Sequence, residues 1–345
     1  MRDPTSQQLP QKLKGRFWFP QNPNLVLSGD LVVSAPHNYD LELELPHYGL
    51  ASPGYWESML GKPIPAILGV SGEHGKLTCN DCGIYSSIAS NDAPRSVSSH
   101  KLRLFAHRCF IGAHIVDQEP IRIRQFSAFF TGFNQWALAY DNELFAEEEI
   151  GLPKIKRSDV IDGFGRLKIF RAFSENGSIG DVGKQVRIRY WRPSFQPLEP
   201  TRIDDMLSTV RAFQFLLALL QGRAVGFNDL RAEMISADAA ESEAGDQSIE
   251  ILTMMTGYKQ TFGSTRDQEF LLPFKEIGQC WPTLVSGWFK SMKSIAAPLN
   301  LYFAVLFVPD LFDEQKFLFL AQALEGYHRC TVKKEWVKFK KRWRI

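Results

Sequence analysis

Between residues 15 and 195, apolar and polar positions alternate with a period of two, or apolar residues gather in short runs broken by Gly, Pro, Asn and Asp. LVLSGDLVVS, YDLELEL, AILGVSG, GKLTC, HKLRLFAHRCFIGAHI, IRIRQFSAFFTGF, GRLKIFRAF and KQVRIRYW read as strands. In RIRQFSAFF and QVRIRYW, charged and apolar residues alternate, as on a sheet with one wet face. Turn residues separate almost every pair, so the pattern predicts an antiparallel sandwich or barrel over 15–195.

After residue 200 the period lengthens. In TRIDDMLSTVRAFQFLLALLQG, Met206, Val210, Phe213, Leu217 and Leu220 recur at helical spacing, and Gly222 supplies a stop. The polar stretch at 232–247 reads as a surface loop. Pro282 is expected to kink or split the helix of PFKEIGQCWPTLVSGWFKSMKSI. Pro298 suits the first turn of the next helix, and Asp313 reads as the N-cap of DEQKFLFLAQALEGYHR. On this last helix 100° per residue puts Phe317, Leu320, Leu324 and Tyr327 on one stripe, with His328 near its middle and the Glu325–Arg329 pair at its edge. Such a stripe needs a partner, because leaving each side chain exposed forfeits about 1.5–3 kcal/mol. Self-association or docking through these four residues is therefore expected. The fold class is α+β: a disordered N-terminus at 1–14, a β-rich unit at 15–198, a helical region at 199–331 and a basic tail at 332–345.

The totals add boundaries. A chain of 345 residues suits two or three domains, and 44% hydrophobic with 23% charged residues is ordinary for a globular protein. The opening MRDPTSQQLPQKLKG has no apolar core and reads as neither secretory signal nor anchor. LNLYFAVLFV, the longest apolar candidate, is about half of a membrane span. The five cysteines are odd in number and sparse, which favours a reducing cytoplasm over a disulfide framework.

Few stretches carry chemistry. Cys79 and Cys82 form a CxxC, and with His107 and Cys109 they could supply four zinc ligands. No second CxxC follows, so the plainer reading is two small residues flanking a turn, and neither a metal nor another cofactor is assigned. Arg103 precedes His107, and Arg108 precedes His114. Such pairs can cleave RNA, His moving a proton while Arg steadies phosphate charge. Both lie among strands, where solvated residues are the simpler account. In KKEWVKFKKRWRI, Lys338, Lys340, Lys341, Arg342 and Trp343 mix cations with an aromatic ring, as nucleic-acid-binding segments do. A short solvated helix or frayed tail is the simpler account of them. No Walker loop, dinucleotide fingerprint, HExxH or GxSxG is present.

Several segments together carry a resemblance. GRFWFPQNPNLVLSGDLVV, AILGVSGEHGKLTCNDC, CFIGAHI and RQFSAFFTGFNQWA resemble the N-terminal domain of the ApeA family of bacterial anti-phage proteins. The likeness continues through FQFLLALLQG and LLPFKEIGQCWPTLVSGWFKSMKSIAAPLNLYF. It ends on EQKFLFLAQALEGYHR, which is similar to the first long helix of that family's HEPN domain, for a coverage of about residues 15 to 330. The resemblance implies a β-rich sensor of a phage-derived trigger and a HEPN ribonuclease, metal-independent and directed at tRNA, that stops growth by abortive infection. The family's Arg-x(4–6)-His motif belongs on a later helix. The expectation is thus a truncated or frameshifted gene product, or a stand-alone form, lacking catalytic residues of its own. Arg108 and His114 match the spacing in the wrong domain and receive no catalytic role. Two alternatives stay open: an active ribonuclease completed by oligomerisation, and a β-domain that binds carbohydrate or protein, using aromatics such as Trp18, Trp56, Trp136 and Trp191.

Overall fold

A computed structural model describes residues 11–34, 38–45, 61–90, 99–116, 121–138, 155–176, 186–235, 247–253, 270–308 and 310–342. The proposed disordered segment 1–14 falls mostly outside them, as does Trp56. Two three-stranded meanders open the fold. The first is β1 (Gln11–Phe19), β2 (Asn22–Ser34) and β3 (Asn38–Leu45). The second is β4 (Pro63–Ser71), β5 (Gly75–Ser90) and β6 (Ser99–Ile111). Antiparallel pairing of β1 with β4 and of β3 with β6 closes the six strands into a barrel. Its interior is filled by inward-facing residues, among them Leu13, Phe17, Leu31, Leu41, Leu77 and Leu104, all buried.

The inward alternation slips by one residue on three neighbouring strands at one level. It runs Ile64 then Ile67 on β4, Cys79 then Cys82 on β5, and Ala106 then Cys109 on β6. The residues at the slip are Pro65, Asp81 and His107, which the register sets side by side. Asp81 holds a positive φ of 53°, and Pro65 has no N–H to give a ladder. The three strands bend there together, as at a shared bulge. Tight coiling also requires glycine at certain inward points. Gly69 pairs with Phe17, whose ring lies where a Cβ would sit, with its Cε1 2.7 Å away.

Beyond the barrel the sheet goes on. β12 (Gln247–Thr253) pairs with the last residues of β6, and the order continues β12-β11-β7-β10-β9-β8. These are β7 (Arg122–Phe130), β8 (Ile155–Ile161), β9 (Gly165–Asn176), β10 (Val186–Pro197) and β11 (Phe227–Ile235). A short α1 (Phe133–Leu138) follows β7. Against this second sheet lies α2 (Ile203–Gln221), ended by Gly222 in the left-handed conformation at φ 69°. Phe213 of α2 packs edge-on to Phe130 and Phe195 of the sheet, at 5.2 and 5.0 Å. Phe215, on the opposite side, stacks on Phe303 at 4.0 Å. The outer layer is α3 (Phe274–Ile277), α4 (Trp281–Ser291), α5 (Ala296–Phe307) and α6 (Asp313–Arg342).

The α+β class and the antiparallel barrel agree with the sequence pattern. Several boundaries differ. The region expected to be helical also contributes β11 and β12, and the stretch expected to be a loop at 232–247 begins inside β11. The stretch around Pro282 is split, as expected, into α3 and α4, and Pro282 sits in the first turn of α4, where its missing N–H costs nothing. Asp313 is the first residue of α6, and the Phe312 carbonyl accepts the opening bond from Lys316. The helix then continues through 332 to Arg342.

Because Phe17 is fully buried and cannot swing away, Gly69→Ala should cost about 1–3 kcal/mol of stability, read as a lower urea midpoint with an unchanged m-value.

Candidate functional site

α5 and α6 form a helical hairpin on the outside of the core. α6 turns Leu320, Ala323 and Gly326 towards α5, with Gly326 set against Pro298. Phe317, Leu324 and Tyr327 face solvent, Phe317 with 75% and Leu324 with 71% of its surface exposed. The stripe read from periodicity is therefore split: Leu320 is half-buried, and the other three residues look outward with Phe312 and Leu318 beside them. His328 is exposed, and Arg329 pairs with Glu325 at 2.5 Å. Lys338, Lys340, Lys341 and Arg342 ride on the last turns of α6, where side chains lie outside the described residues, and Trp343 lies outside them altogether.

The cysteine set does not converge with its histidine. Cys79, Cys82 and Cys109 point into the barrel, and the Cys79 and Cys109 sulfurs are 3.7 Å apart. His107 stands on the outer surface, edge-on to Phe105. Burial pushes the Cys82 and Cys109 thiols well above their ordinary range, which makes them poor nucleophiles and poor metal ligands. Among the described residues no three His, Cys, Asp or Glu side chains gather as metal ligands.

The two Arg–His pairs are also taken apart. Arg103 pairs with Glu42 at 3.0 Å. His114 lies with Nε2 2.8 Å from the Gly69 carbonyl, edge-on to Trp18. Arg108 reaches Asp81, at the barrel's bend, and Asp204, in the first turn of α2, each at 3.0 Å. This clasp, which sequence reading missed, ties the barrel to the helix carrying the second core. The acidic first turn of α2 also suits the helix dipole.

A second polar junction, equally silent in the sequence, lies within the second sheet. Arg192, almost fully buried, spans β10, β7 and β11: its guanidinium donates to the Ser127 hydroxyl and carbonyl and to the Asp229 carboxylate and carbonyl. Asp229 holds a positive φ of 46° at an irregularity in β11 and also takes Arg231 at 2.8 Å. Glu250 of β12 pairs with Arg231 across the ladder. Burial, reinforced by Asp229, raises its carboxyl above the ordinary glutamate range, against the opposing pull of Arg231, Arg192 and His74. Tyr39 is raised for related reasons: burial first, then the nearness of Cys109 and Glu250.

The tryptophans divide. Trp136 and Trp191 are buried, Trp136 donating to the Leu272 carbonyl at 2.8 Å, while Trp18 is half-exposed. The barrel's interior is filled by side chains, which leaves its outer surface for a ligand of the barrel. There a shallow groove of about 260 Å³ runs over Lys14, Ser28, Asp30, Glu42, Glu44 and Lys101. Among the described residues no helix is long and apolar enough to cross a membrane.

Comparison with known proteins adds one result. The family described as ApeA N-terminal domain 1 matches residues 12–288, which span the barrel, the second sheet and the helices into α4. No curated protein and no solved structure matches the chain.

Two outcomes test this geometry. A thiol reagent should modify Cys280 and Cys330 in the folded protein, and Cys79, Cys82 and Cys109 only after denaturation. A carboxyl raised on folding binds protons more tightly in the native state, so its contribution to stability declines as pH rises from the ordinary glutamate value through the raised one. Glu250→Gln should therefore raise the melting temperature by about 1–3 °C at pH 8 and leave it nearly unchanged at pH 4.

Proposed function

Because this chain belongs to the ApeA N-terminal domain 1 family, we propose that it is the sensing and regulatory part of an anti-phage defence protein acting by abortive infection. The observation that carries the reading is the span of the match, which takes in barrel, second sheet and helices together rather than the barrel alone. In this reading a phage-derived protein engages the outer face of the barrel in the bacterial cytoplasm. The Arg108 clasp passes the strain of that contact to α2. Phe215 and Phe303 relay it to the hairpin of α5 and α6. The toxic step is cleavage of RNA, with tRNA the expected target, by a HEPN-type ribonuclease under the control of that hairpin. Arg103, Arg108, His107 and His114 are committed to separate structural contacts, so none of them is assigned to the cleavage.

The test has two arms. Bacteria expressing the gene from its native locus should plate phage poorly. Arg108→Ala should restore plaques while the purified variant keeps its far-ultraviolet circular dichroism. Purified chain incubated with tRNA in chelator should leave it intact. Cleavage that disappears in His114→Ala or His328→Ala would overturn the regulatory reading in favour of a nuclease completed by association. Wild-type cells that plate phage normally would remove the defence role.

A further inference from the structure

On the outer face of the barrel the rings of Tyr85, Phe105 and His107 gather beside the Asp40 carboxylate. Leu104 and Ala106 of β6 are buried in the interior, so Phe105 and His107 between and after them face out. Phe105 stands opposite Gly83 of β5 on one side and Asp40 of β3 on the other. Its ring folds onto the glycine, with Cζ 2.5 Å and Cε1 2.6 Å from the place a Cβ would take. One side of the ring therefore rests on backbone, and the other is left to solvent. His107 meets this ring edge-on, the centroids 5.3 Å apart. Tyr85 arrives by another route. It is the extra residue at an irregularity of β5, between Ile84 opposite Leu104 and Ser86 opposite Arg103, and an extra residue of this kind re-aims a side chain. Its hydroxyl reaches Asp40 Oδ1 at 3.4 Å, so the ring crosses β6 beside Phe105. Phe105 and Tyr85 stay 36% and 49% exposed.

Of the charges flanking the rings, Arg103 and Glu42 take each other at 3.0 Å. Farther off, Glu44 stands opposite Lys101, and Asp30 stands opposite Lys14 with Lys12 at 3.9 Å. Among the described residues Asp40 accepts only from the neutral Tyr85 hydroxyl. The face of an aromatic ring is electron-rich, and a carboxylate without a counter-ion beside it attracts the same kind of group, a cation. We propose that this platform seats an arginine side chain of a partner protein, its guanidinium flat on Phe105 between Tyr85 and His107 and hydrogen-bonded to Asp40. Arginine fits better than lysine, because a planar guanidinium stacks on an open ring and still presents N–H groups at its edge to a carboxylate. A sugar would stack on the ring but bring no charge to Asp40, and a nucleic acid would set its phosphates against Asp40. That the partner is the phage-derived trigger rests on the defence reading; the site itself does not.

The probe is acetyl-Gly-Arg-Gly-amide added to the full chain, with binding read by saturation-transfer difference NMR. It should saturate with a Kd on the order of 1–10 mM, and the citrulline peptide, of the same shape without the charge, should bind about fivefold more weakly. Asp40→Asn keeps an acceptor for Tyr85, and Phe105→Leu keeps an apolar cover on Gly83. Each should weaken the arginine peptide about three- to tenfold. Glu44→Gln, on the same strand and face, should leave it unchanged. No saturable binding, equal binding of the citrulline peptide, or an equal loss in Glu44→Gln overturns the proposal, the last by reducing it to general attraction between charges. In cells Asp40→Asn should restore plaques. If it loses the peptide and still protects, the trigger docks elsewhere and its arginine is not the occupant. Wild-type cells that plate phage normally, with the peptide still bound by the purified chain, overturn the defence reading alone.

Discussion

One edge of one strand organises this protein. Along one side β6 pairs with β5 for its whole length. Along the other side it is divided: residues 100–105 pair with β3 and close the barrel, and residues 108–111 pair with β12 and begin the second sheet. A strand has only one row of donors and acceptors on each edge, so both partners cannot occupy the same stretch. The changeover falls at Ala106 and His107, the level at which β4, β5 and β6 lose their alternation together. The bend is what lets β3 leave and β12 enter without a gap. Arg108 sits on this point, and its two carboxylate partners, one on the bend and one on α2, hold the direction in which the second layer departs. Thr78, buried nearby, closes the account of backbone groups past the end of β6: its hydroxyl donates to the Ala113 carbonyl and accepts from the Ile115 N–H.

From that division follows the need for α2. The second sheet is open, with β8 at its far edge and one face to cover. α2 covers it, yet the helix is buried on nearly every side, because α5 lies on its back. Phe213 and Phe215, two residues and so about 200° apart, mark the two contacts. The far edge is closed by α4 and the turn before it. Ser286 accepts a bond from the Asp162 N–H, Lys290 pairs with Asp162, and Arg157 donates to the Gly278 carbonyl. A strand edge that would otherwise template foreign pairing is thereby partly covered.

What could be read beforehand follows from which forces are local. Strands with clean alternation, such as β3 and β7, were legible, and so was α2 with its glycine stop. β1 was hidden because its inward position 15 is a glycine, so QKLKGRFWF lacks the expected apolar residue midway. β5 was legible only over GKLTC, since the slip at Asp81 moves later apolar residues to the other parity. β11 carries an irregularity between Asn228 and Arg231 and lies in a region of helical neighbours, so its period was lost there. Neither polar junction could be found: Arg108 meets Asp204 across 96 positions, and Arg192 meets Asp229 across 37, with nothing in the intervening spacing to join them.

The last helix shows why a periodic stripe does not by itself name a partner. Phe317, Leu320, Leu324 and Tyr327 fall on adjoining parts of one helical surface, and the core could have taken any of them. Steric contact with α5 decides: the small residues Ala323 and Gly326 let the helices come close, and Gly326 meets Pro298. That choice draws Leu320 inward and leaves Phe317, Leu324 and Tyr327 to solvent. Close packing through small side chains sets the rotation of α6, and the larger apolar residues become surface as its consequence. An exposed patch made in this way is unusual for a lone chain and invites burial elsewhere.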